Sequence, residues 1–77
     1  MSKAIIQEWT ESQVLLKFDE HKTVKYQVYR DDNMHFLEVR DESDQPVHLL
    51  ELPDGMKLDK SSYEVLLRYV LLDVVAA

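Results

Sequence analysis

The segment from Asp59 to Val75 has helical spacing but is apolar on two sides, which is more than a helix covering a single sheet requires. At about 100° per residue, Leu66, Leu67, Val70, Leu71 and Val74 share one face, and Val65, Tyr69 and Leu72 lie almost opposite. Ser61, Glu64 and Arg68 form the polar sector between them. A small domain can bury one apolar face, so the second is expected to meet another protein, and Val65, Tyr69 and Leu72 are the candidate contact residues. Two helix starts are open: a capping box from Ser61 to Glu64, or Asp59 as cap with Leu58 and Tyr63 as a hydrophobic staple. Glu64 and Arg68 are spaced to form an i,i+4 ion pair on the solvent stripe. The valines lower intrinsic helix propensity, so packing must hold the helix in place.

Ahead of this helix the period changes from 3.6 to two. In Lys22–Arg30, Val24, Tyr26 and Val28 alternate with Thr23, Lys25 and Gln27, the pattern of a half-buried strand. Asp31-Asp32-Asn33 favours a turn, so Met34–Arg40 should return as the second arm of a hairpin. In that arm Met34 and Phe36 compete with Leu37 and Val39 for the inward face, which suggests a strand covered twice or near a contact surface. Tyr26 and Tyr29 point to opposite faces. Gln13–Asp19, with Val14, Leu16 and Phe18 in register, reads as a further strand. Ala4–Trp9 reads as another, joined through Thr10-Glu11-Ser12, although Ile5, Ile6 and Trp9 also fit a helix face capped by Ser2. Val47–Leu52 makes the last strand, and Pro53-Asp54-Gly55 closes the sheet region. The expected fold is α+β: one domain over residues 1–77, with an antiparallel meander of four to five strands in 4–52 packed on a C-terminal helix at about 60–75.

With 77 residues and no cysteine, such a domain has one modest core and no disulfide, which leaves oligomerisation as the reinforcement its composition best supports. A homodimer is therefore expected. The charge of −6, from fifteen acidic and nine basic side chains, opposes contact with nucleic-acid phosphates or anionic membrane. The amino terminus turns charged before an apolar run of signal-peptide length develops, and the absence of thiols is compatible with the expected cytoplasmic location.

Chemistry is scarce in this chain. A single glycine cannot write a glycine-rich phosphate loop, and the missing thiols exclude cysteine nucleophiles and cysteine metal sites. His21, His35 and His48 are spaced unlike a helical zinc pair, so a histidine and carboxylate metal enzyme is the least favoured reading. Asp41-Glu42-Ser43-Asp44 lacks the glycine and distal glutamate of a calcium loop, and Ser61 and Ser62 are better explained as helix caps than as nucleophiles. The expectation is a protein without enzymatic activity and without cofactor or metal.

In a meander, alternate turns emerge at one end, which should gather Asp19, Glu20, Asp41, Glu42 and Asp44 into an acidic rim, with Asp31 and Asp32 at the other end near Glu8 or Glu11. Such a rim can imitate phosphate spacing and steer a basic protein toward it. The functional expectation is a small acidic inhibitor that blocks a larger protein. In its sharper form it is a phage or mobile-element anti-defence protein, such as an anti-CRISPR covering a nucleic-acid groove. The alternative is a structural or adaptor subunit dimerising through the helix.

Overall fold

A computed structural model describes residues 3–16 and 20–76, the last four as backbone. Four strands precede one helix: β1 (Lys3–Leu15), β2 (His21–Asp31), β3 (Met34–Asp41), β4 (Pro46–Leu52) and α1 (Lys60–Ala76). The strands form a single antiparallel sheet in the order β1-β2-β3-β4, the α+β meander the sequence implies.

The two strands expected over Ala4–Trp9 and Gln13–Asp19 are one continuous strand as far as Leu15, with Leu16 just past its end; Lys17, Phe18 and Asp19 lie outside the described residues, as does Ser2. Thr10-Glu11-Ser12 is polar but contains none of the residues that fix a tight turn, and its alternation continues unbroken, with Ser12, Val14 and Leu16 buried. The irregularity lies earlier, in register shifts between Ile5 and Gln7 and between Gln7 and Thr10. The Thr10 hydroxyl spans them, accepting from Gln7 Nε2 at 2.8 Å and donating to the Glu8 carbonyl at 2.7 Å. A bulge of this kind bends an edge strand without ending it.

Residues opposite one another in the ladders share a face. Tyr26 faces Val39 and Val28 faces Leu37, and all four are buried beneath the helix together with Val14, Leu16, Val24 and Leu52. This settles the ambiguity in β3: Leu37 and Val39 point inward, and Met34 and Phe36 line the opposite, uncovered face. The helix contributes Tyr63, Leu67, Val70 and Leu71. Tyr63 meets Tyr26 edge to face at 6.0 Å. The inward face is centred slightly N-terminal of expectation, so Leu66 is only half-buried and Tyr63 takes a central place.

The turns follow their residue chemistry. Asp32, in a two-residue loop, takes a left-handed conformation with φ 56°, which aspartate tolerates better than most residues. Gly55, at φ 80°, sits third in the turn Pro53–Met56, whose ends are linked by Met56 N–H donating to the Pro53 carbonyl at 3.3 Å. Of the two helix starts, Asp59 is the cap: its Oδ1 accepts from the Ser62 N–H at 2.9 Å.

Candidate partner-binding surfaces

Three surfaces remain outside the core. The first is the outer face of α1. Val65 is 57% exposed and Tyr69 68% exposed, large apolar surfaces on a helix whose opposite side already closes the core. Leu72, expected beside them, is half-buried and packs against the margin of the core, so it belongs to both sides. Val65, Arg68, Tyr69 and Leu72 line a shallow groove of about 350 Å³. The side chain of Val74 lies outside the described residues. Arg68 is exposed, and the ion pair expected with Glu64 is not formed; among the described residues no carboxylate lies within ion-pair distance of its guanidinium.

A second groove, of about 330 Å³, joins this face to the free edge of β1. It is lined by Glu11–Leu15 on the strand and by Glu64 and Arg68 on the helix. Arg68 borders both grooves. The helix thus leans over the β1 side of the sheet, and its exposed apolar residues share a flank with an open strand edge.

The second surface is the acidic end. The β1–β2 and β3–β4 connections do emerge at the same end, bringing Glu20, Asp41, Glu42 and Asp44 to it, while Asp19 lies outside the described residues. They do not form one rim. The β2–β3 ladder ends at Val24 opposite Asp41, and His21, Lys22 and Thr23 pair onward with β1 alone, which carries Glu20 roughly 13 Å beyond that last pair. Two of the acids also have local partners. Asp41 Oδ1 accepts from the Ser43 and Gln45 N–H groups at 2.9 and 3.0 Å, and Asp44 lies 3.4 Å from the Arg40 guanidinium. Glu42 and Glu20 are exposed. At the opposite end, Glu8 and Glu11 are not beside Asp31 as expected, because the continuous β1 places them at mid-strand; Lys3 is the residue opposite Asp31.

The third surface is the sheet face away from the helix. Two-sided apolarity in β3 anticipates it, but its organisation comes from charges. Lys3 Nζ sits 4.2 Å above the Tyr29 ring, and the Arg40 guanidinium lies 4.7 Å from the centre of Trp9. Tyr29 and Phe36 stack at 5.5 Å. Arg40 also reaches Glu38 at 2.9 Å, and Gln27 Nε2 donates to Glu8 Oε1 at 3.0 Å. Cations held over aromatic faces shield part of their apolar area while keeping their charge in water, and Trp9 and Met34 on this face remain 38% and 43% exposed.

The histidines stand in separate rows of the sheet, His35 opposite Leu52, His48 opposite Val39 and His21 opposite Leu15. Among the described residues no group of three His, Cys, Asp or Glu side chains is placed to hold a metal ion, and no helix is long and apolar enough to cross a membrane. Comparison with protein-family models, with curated proteins and with solved structures finds no match for this chain.

Proposed function

We propose that the protein is a non-enzymatic protein-binding module, a small acidic blocker that acts by covering part of a larger protein. The exposure of Val65 and Tyr69 on a helix whose core side is complete without them carries this reading. Exposed aromatic and branched residues bordering an apolar groove are what protein contacts use, because they contribute buried area at low entropic cost. The charge of −6 selects a basic partner, and Glu42 with Glu20 at the acidic end are the carboxylates free to steer it. In the sharper form of the proposal the partner is a nucleic-acid-binding protein whose groove is occluded, as a phage-encoded anti-defence protein would do in the cytoplasm.

The test is site-specific photo-crosslinking in native host cells, with a photoreactive phenylalanine analogue replacing Tyr69 in one variant and Glu42 in another. Discrete protein adducts at both positions are expected, with the yield at Glu42 falling as salt is raised in the extract. No adduct at either position would overturn the reading.

A further inference from the structure

We infer that the flank shared by α1 and the free edge of β1 takes a second copy of this chain, related by a two-fold axis perpendicular to the sheet. This rests on the reading of the outer helix face as a binding surface, and it names the occupant. Two observations support it.

The first is that two incomplete features share one flank. β1 is the longest strand, and its outer edge has no partner among the described residues. Its register shifts are confined to Ile5–Thr10, whereas Thr10–Leu15 pair regularly with Tyr26–His21 and present an unbroken edge. Bulges blunt the N-terminal half against strand addition, and nothing equivalent blunts the other half. Antiparallel pairing of Glu11–Leu15 with the same residues of a second copy would join the sheets into one of eight strands. The same axis sets the two helices antiparallel. Tyr63 stands over Tyr26 of β2 while Glu64 and Arg68 border β1, so the helix lies above the two outer strands. Helices seated midway above β1 and β2, about 2.4 Å inside each edge strand, come to about 10 Å apart across the ~4.8 Å joint, the separation of packed pairs.

The second is charge. In an antiparallel helix pair that sets Val65 against the second copy's Tyr69, Glu64 falls beside the second copy's Arg68, and the axis repeats both contacts. The surface is complementary to itself. Arg68 has no carboxylate within ion-pair distance inside its own chain among the described residues.

The acidic end, with Glu42, lies off this flank and stays open to a larger basic partner.

The experiment combines mass with charge reversal. Sedimentation equilibrium of the full chain should give twice 9.1 kDa at micromolar concentration. Glu64→Arg and Arg68→Glu should each weaken the dimer roughly tenfold, since two like-charge contacts replace two ion pairs, and the double reversal should restore it. The chain has no cysteine, so single cysteines placed in turn at Glu11 to Leu15 report strand pairing by disulfide trapping under mild oxidation, with trapping expected to peak at Gln13, which the axis sets opposite itself, and to vanish at Glu11 and Leu15. A monomer at all concentrations would overturn the inference and leave the blocker reading standing if Tyr69 still forms adducts with another protein. A dimer insensitive to the reversals, or one that is not trapped by a cysteine at Gln13, would overturn the proposed geometry.

Discussion

Tyr63→Phe should stabilise this protein, which is unusual for a change at the centre of a core. Tyr26 and Tyr63 are 0% and 1% exposed, and neither hydroxyl has a hydrogen-bond partner among the described residues. An unsatisfied buried hydroxyl costs about 1–3 kcal/mol relative to water, whereas phenylalanine keeps the ring and its edge-to-face contact with Tyr26. Losing the packing of one oxygen offsets part of that, so the expected net gain is about 1 kcal/mol, or roughly 4–8 °C in Tm for a domain of this size. Urea titration with circular dichroism at neutral pH measures it. Alkaline pH supplies a second readout. Burial raises both tyrosines above their ordinary value of 10.0, with a further push from Glu64 and then Tyr63 on Tyr26, and from Asp59 on Tyr63. Folding favours the protonated phenols, so their contribution is full below pH 10.0 and is lost as pH rises beyond it through the raised folded values. The Tyr63→Phe protein should lose less stability over that window than the parent. A destabilisation of more than about 1 kcal/mol, or an unchanged alkaline profile, would show that the Tyr63 hydroxyl is satisfied and refute the reasoning.

Three further outcomes follow from the packing. Leu67→Ala, at a fully buried position, should cost ~2–5 kcal/mol in urea titrations, whereas Tyr69→Ala, two residues on and mostly exposed, should change monomer stability by no more than about 0.5 kcal/mol. Asp59→Ala should lower Tm and helical ellipticity at neutral pH. The backbone N–H of Ser62, and more weakly Lys57, holds the Asp59 carboxyl below its ordinary 3.8, so the parent's advantage is present above that value and disappears as pH falls through the lowered one. Arg40→Ala should shift the fluorescence of the sole tryptophan to longer wavelength with little change in Tm, because the guanidinium covers Trp9 at the surface; an unaltered spectrum would remove Arg40 from that role.

The β2–β3 hairpin and α1 were legible in the sequence because their signals are local: alternation around Asp31-Asp32-Asn33 for one, helical spacing behind an Asp59 cap for the other. The continuity of β1 was not, because Thr10-Glu11-Ser12 is polar for a reason composition does not reveal. Ser12 is buried against the core side of the sheet, and Thr10 stitches a bulge through its hydroxyl. That difference moved Glu8 and Glu11 from an end of the sheet to its middle. The candidate site was legible in part. Exposed Val65 and Tyr69 follow from angular position alone, whereas Leu72, whose angle lies between those of exposed Arg68 and Val65, is half-buried by packing against the core margin that only the tertiary structure supplies.

By itself the sequence determined that this chain alternates into an antiparallel sheet and ends in a helix with more apolar circumference than one sheet can cover. Only the tertiary structure decided that the helix leans to the β1 side, so that its surplus face and an open strand edge share one flank, and that Lys3 and Arg40 shield the aromatics of the uncovered face. The physical reason is range. Periodicity and capping are set by residues a few positions apart, whereas register, bulges and the seating of a helix on a sheet depend on side chains distant in sequence that meet only after the chain has folded.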